Sequence, residues 1–231
     1  MSDRQRKIYQ SEGDRYEAMV AREDHQRNIP RALDEIVNVD GLDVMDLGAG
    51  TGRLAVMLAP RVRSLRAFDA SAEMLRVCRE RLAASGLTNW QVEVADHRSI
   101  PVEDHSADLV VSGWSVAYLY VWNPETWRLE LEKWLGEMKR VLRQGSFIVL
   151  FESLGTGNES PIQLEHLKEY YPWLDEAGFQ HTWIRTDYQF ESLEEAEELS
   201  RFFFGEELVE KVRRNNWVTL PECTGVWWLK V

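Results

Sequence analysis

Apolar and polar residues follow two rhythms along the chain, and the switches between them mark its elements. Short apolar runs bounded by polar residues read as buried strands at 42–47, 65–68, 90–94, 108–112 and 146–151. Between them the apolar positions return every third or fourth residue. Leu54, Val56, Met57 and Leu58 follow the first strand, and Leu75, Cys78 and Leu82 share one helical face after the second. Trp127, Leu131, Trp134, Leu135 and Met138 form a stripe ahead of the last. Ser71 is placed to cap the second helix and Gly86 to close it, while Asn123-Pro124 offers the third a cap and a first-turn proline. Strands alternating with amphipathic helices predict an α/β fold, a parallel sheet with helices on both faces.

The two ends are patterned differently. Residues 1–38 are polar, with a helix expected through Ile29, Leu33 and Ile36 that Pro30 starts or kinks. Beyond residue 152, Ser160-Pro161 is expected to open a helix through Leu164, Leu167 and Leu174, closed by Gly178. Residues 179–190 read as one extended strand, Ser192-Leu193-Glu194-Glu195 as a capping box for a helix to about residue 214, and 224–231 as a closing strand. No repeat or linker divides the 231 residues, so one domain is expected.

Charge and composition narrow the classes. A net charge of −12, with Lys and Arg interleaved among the acids, repels a long polyanion. Ten tryptophans exceed what core filling usually takes and suit an aromatic-lined pocket or lid. Cys78 and Cys223 lie far apart without a CxxC partner, so neither a disulfide framework nor a metal site is indicated. Met1 to Lys7 is basic with no apolar run after it, unlike a secretory signal. The longest uncharged stretch, 109–122, is broken by Ser112, Gly113 and Ser115 and falls short of the ~20 residues of a membrane span. A soluble cytoplasmic protein, without membrane contact, is the expectation.

The chemistry centres on Val44-Met45-Asp46-Leu47-Gly48-Ala49-Gly50-Thr51-Gly52-Arg53, a strand, a tight turn and a helix start. Glycine lets the backbone turn and lets a ligand lie against the main chain. A dinucleotide fingerprint would need a glycine where Arg53 stands, and Asp46 would repel a pyrophosphate. The order Asp-x-Gly-x-Gly-x-Gly instead resembles the first motif of class I S-adenosylmethionine (AdoMet)-dependent methyltransferases. The resemblance covers 42–152 well and the last third loosely, and points to the broad small-molecule type. It implies a three-layer Rossmann-like sheet of about seven strands, mostly parallel with an antiparallel C-terminal end. It divides the chain into an N-terminal helical lid (1–40), an AdoMet-binding core (41–152) and substrate-side helices and closing strands (153–231); Tyr9, Tyr16 and His25 then lie over the pocket, the alternative being a surface helix packed on the sheet.

In such a sheet the ligand lies beyond the carboxyl ends of the strands. The residues there are Asp46, Gly48, Ala49, Gly50 and Gly52; Asp69 and Ala70; Asp96 and His97; Ser112, Gly113 and Trp114; and Glu152. The resemblance assigns them to AdoMet: Asp69 either takes the ribose hydroxyls or caps a helix, Asp96 with the backbone at His97 takes the adenine or forms a polar turn, and 112–114 line the methionine arm. Trp114 walls the pocket or packs in the core, and Arg53 reaches the cofactor carboxylate or stays solvated. The catalytic group is unknown, with His25, His166 and Glu152 as candidates; His97 is a further one, and His105 reads as a surface-loop residue. Ser112-Gly113-Trp114-Ser115 differs from the Asn/Asp-Pro-Pro-Tyr motif of enzymes that methylate nucleic-acid amino groups. The expectation is methyl transfer from AdoMet to a small-molecule acceptor, with a non-catalytic AdoMet-binding protein, a nucleic-acid or protein methyltransferase, and an NAD-dependent enzyme as alternatives.

Overall fold

The computed structural model describes residues 3–231. Strands β1 (Asp43–Leu47), β2 (Ser64–Asp69), β3 (Trp90–Val94), β4 (Ala107–Gly113) and β5 (Leu142–Thr156) are parallel to one another. After β6 (Gln180–Arg185), β7 (Tyr188–Gln189) and β8 (Thr219–Leu220), the strand β9 (Glu222–Lys230) runs antiparallel between β5 and β6. The sheet order is therefore β3-β2-β1-β4-β5-β9-β6, with β7 and β8 paired separately. Its central strands are apolar on both faces because both faces are covered.

Helices α1 (Asp3–Ser11), α2 (Gly13–Val20) and α3 (Asn28–Ile36) precede the sheet. With α4 (Arg53–Leu58) and α5 (Ala72–Ala84), α3 covers one face, where Leu33, Leu54, Leu58, Leu75, Cys78 and Leu82 meet Val44, Leu65, Leu109 and Val149. On the other face, α6 (Ala117–Trp122), α7 (Trp127–Val141) and α8 (Tyr170–Glu176) bring Leu131, Trp134, Met138 and Tyr170 against Met45, Leu47, Val110 and Leu150. A third apolar group joins Met19 of α2 to α9 (Leu193–Phe203), α10 (Glu206–Asn215) and the β7–β8 pair. Among the described residues no helix is long and apolar enough to cross a membrane.

The expected core is present with edges shifted by a residue or two, and five other expectations are corrected. Asn123-Pro124 opens no helix: Asn123 ends α6, its side-chain amide donating to the Leu119 carbonyl, and α7 begins at Trp127 after a turn. α6 itself was not foreseen. Ser160-Pro161 lies in an irregular segment that folds back through Ile162 N–H to Leu154 O, and a short 3-10 turn precedes α8. The strand expected over 179–190 is split at Thr186 and Asp187, whose backbone and side chain bond to β9 residues instead. The helix from Ser192 breaks at Gly205, where φ is +98. The Ser192 hydroxyl does accept from Glu195 N–H, but the Glu195 carboxylate returns to Glu191 N–H, one residue before the cap.

Candidate active site

The glycine turn joins β1 to α4 at the carboxyl edge of the sheet. All its glycines have positive φ, and neighbours crowd two of the three. A Cβ on Gly48 would lie 2.1 Å from the Ser115 hydroxyl, and one on Gly52 would lie 2.6 Å from the Cys78 sulfur of α5. At Gly50 the nearest atom would be 3.9 Å away on the Tyr16 ring, so its open side faces the cleft. Ala49 is pinned by its N–H to Phe68 O. The turn is held to β4 by the Ser112 hydroxyl, which donates to Leu47 O at 2.7 Å and meets the Ser115 hydroxyl.

Asp46 lies under this turn, fully buried and outside the cleft lining. Neither of its carboxylate oxygens has a partner of ordinary hydrogen-bond geometry. Burial raises its pKa to about 7, the Ala55 amide of α4 acting against the rise and the Asp69 charge adding to it. Asp69, at the end of β2, faces the cleft. Its two oxygens accept from Gly50 N–H (2.9 Å) and Ser71 N–H (2.7 Å), which clamps the glycine turn to the start of α5. Burial raises its pKa while these amides oppose the rise. An ionised carboxylate has lone pairs to spare beyond two such bonds.

The cleft above these residues encloses about 680 Å³ and brings together Gly48, Gly50, Asp69, Ala70, Asp96, His97, Gly113 and Trp114. Asp46, Ala49, Gly52 and Ser112 support it from outside its lining. Asp96 is held by Arg98, which donates through its backbone and guanidinium and also reaches Glu130, so its pKa falls to about 2. Burial lowers the His97 pKa to about 4, and its Nδ1 is buried without a partner. Trp114 follows β4 with φ at +51, an uncommon backbone for a bulky residue. Its N–H donates to Phe151 O, and Arg53 stands 4.0 Å over its ring. Arg53 is neither solvated nor in the cleft lining: Glu23 holds it at 2.7 Å from behind.

The rim is aromatic. Tyr9 and Tyr16, from α1 and α2, line the cleft opposite Tyr118 and Trp122 of α6. The hydroxyls of Tyr9 and Tyr118 hydrogen-bond each other, and the Ser71 hydroxyl donates to Tyr9 O. Glu152 lies beneath, 3% exposed, its Oε1 accepting from Ala117 N–H and Tyr170 O–H at 3.0 Å each. Burial raises its pKa to about 7, against these bonds. His25 and His166 are exposed and outside the cleft lining, and His105 is exposed with its ring bonded to Leu142 O. The Tyr9–Tyr118 contact was not foreseen, and aromatic residues flanking the sheet's carboxyl edge were the available signal. No group of acidic, histidine or cysteine side chains able to hold a metal occurs among the described residues.

Residues 44–145 match the family described as Methyltransferase domain. Over that stretch, from β1 into β5, the chain is similar to methyltransferase domains. A malonyl-[acyl-carrier protein] O-methyltransferase of Marinomonas sp. (strain MWYL1) is 31% identical over 67% of the chain and 52% of its own length. Phosphoethanolamine N-methyltransferase 1 of Caenorhabditis elegans is 36% identical over 33% of the chain and 16% of its own length. The chain spans about half the length of the malonyl-carrier methyltransferases it matches. The YcgJ protein of Bacillus subtilis shares the fold, with a TM-score of 0.57 at 15% identity over 88% of the chain and 97% of its own. The site fits AdoMet: an approachable Gly50 backbone, a cleft-facing Asp69 and an unpartnered buried His97 Nδ1.

Proposed function

We propose that the protein is an AdoMet-dependent methyltransferase acting on a small-molecule acceptor. The observation that carries the reading is Asp69, which joins the glycine turn to α5 and keeps lone pairs toward the cleft. In this reading Asp69 receives the ribose hydroxyls and the Gly50 backbone lies against the methionine arm. The 95–98 segment receives the adenine, with Asp96 sharing its carboxylate between that base and Arg98. Gly113 and Trp114 wall the methyl-transfer end, while α1 and α2 serve as a lid that excludes water through Tyr9 and Tyr16.

AdoMet supplies a methyl group on a positive sulfur with a good leaving group, so alignment and desolvation provide much of the acceleration. Glu152 acts here as a support for α6 and α8 rather than as the base, because its Oε1 is taken by Ala117 and Tyr170. The named relatives act on a carrier-bound malonyl group and on phosphoethanolamine, and their difference leaves the acceptor open. Titration calorimetry with S-adenosylhomocysteine tests the reading. The wild type should bind, and Asp69→Ala should weaken binding by about 1–3 kcal/mol. A folded wild type that does not bind would refute the function, and an unchanged mutant would refute the ribose contact. A non-catalytic AdoMet-binding protein would bind the product yet transfer no label from AdoMet into a metabolite extract.

A further inference from the structure

Within the methyltransferase reading, we propose that the acceptor is an amine, received as an organic cation against the faces of Tyr9, Tyr16 and Tyr118. These rings line the cleft on the side of Gly50 and Ser115. Tyr9 meets Tyr16 and Tyr118 edge-on, with centroids 5.5 and 5.6 Å apart. Trp122 stacks on Tyr118 at 4.5 Å, and Phe203 of α9 backs Tyr16 at 5.5 Å. Aromatic faces carry negative charge density and attract cations, most strongly where water is excluded. Two tryptophans of the same cleft already do so: Arg6 stands 4.9 Å over Trp122 and Arg53 stands over Trp114.

The surrounding charges point the same way. Burial holds the Tyr9 and Tyr118 phenols above their ordinary pKa; Tyr118 adds to the rise at Tyr9, the Tyr9 hydrogen bond opposes it at Tyr118 where Tyr16 adds to it, and Asp69 and Glu152 raise both further. Tyr16 is raised by burial, Tyr9, Glu23 and Asp69, with Arg53 opposing. A carboxylate acceptor would therefore meet ring faces and acids. Of the guanidinium groups that line the cleft, Arg98 is bound to Asp96 and Glu130, and Arg6 sits on Trp122 at the rim. Phenols this hard to ionise stay protonated and accept no proton from an acceptor, and an amine needs no base from the protein. It leaves its proton with water before transfer, its lone pair forms the new C–N bond, the C–S bond breaks toward sulfur, and the product departs as a methylated ammonium.

Three probes that share a quaternary centre bearing methyl groups and differ in charge test this on the full chain saturated with S-adenosylhomocysteine: tetramethylammonium, neopentyl alcohol and pivalate. By calorimetry, tetramethylammonium should bind about tenfold more tightly than the alcohol, and pivalate most weakly. Tyr118→Leu should erase that preference and Tyr118→Phe should keep it, while a purely structural tyrosine would change neither ratio. Equal binding of the cation and the alcohol, tighter binding of pivalate, or no binding of the cation would overturn the proposal. So would alkali-labile label, the mark of a methyl ester, transferred from AdoMet into a metabolite extract. Failure of S-adenosylhomocysteine itself to bind would strike the methyltransferase reading instead.

Discussion

Asp46 and the glycines beside it show how differently neighbouring residues of one motif are used. Asp46 was expected to hold the ligand; the fold buries it beneath the turn. Its pKa of about 7 lies above the 3.8 of an exposed aspartate, so the folded chain keeps a proton that the unfolded chain releases. The linked stability is whole below the lower value and is lost as pH rises toward the upper one. Asp46→Asn should therefore raise stability by about 2–4 kcal/mol at pH 8 and leave it nearly unchanged near pH 4, as urea unfolding at both pH values would measure. Gly50→Ala should cost about 1–2 kcal/mol, the strain of a left-handed backbone, and leave the fold intact. Gly48→Ala should cost more, because its Cβ would overlap the Ser115 side chain. Equal unfolding midpoints for the two glycine variants would contradict that ordering.

At the scale of elements, legibility in the sequence followed the range of the forces involved. The strands from 42 to 151 were readable because burial on both faces leaves continuous apolar runs, and Ser71 was readable because a cap is a local bond. That hydroxyl accepts from Met74 N–H and also donates to Tyr9 O, so it fastens α1 as well as α5. Ser71→Ala should lower stability by about 1 kcal/mol and speed amide exchange in both helices; faster exchange confined to α5 would deny the link to α1. What the sequence concealed was decided at long range. Arg53 read as solvated or cofactor-bound until Glu23, thirty residues earlier, is seen to hold it against Trp114. Asn123-Pro124 followed a sound rule for starting a helix, yet Asn123 spends its side chain ending α6. Likewise, candidate-site residues at strand ends largely converge on the cleft, whereas His25, expected in the lid, and His166, expected near the pocket mouth after the fifth strand, lie outside its lining.

Across the whole molecule, the sheet and both helical layers serve to bring the carboxyl ends of β1, β2, β3 and β4 under one aromatic rim. The acidic surface that disfavours polyanions has a counterpart at that rim, where acids and ring faces dominate. The strand order has a separate consequence for manufacture. β6 leaves the ribosome before β9 but has only β9 as a neighbour in the sheet, and β5 awaits the same strand on its outer edge. The last third of the chain must therefore remain unlocked until β9 arrives, a delay inherent in pairing between segments so distant in sequence. A nascent chain stalled at residue 221 should show protease cuts within 180–185 that the finished protein resists; protection there before β9 is made would mean that β6 docks by another route. The final strand thus works as a latch, and its timing sets how long newly made copies stay vulnerable to one another.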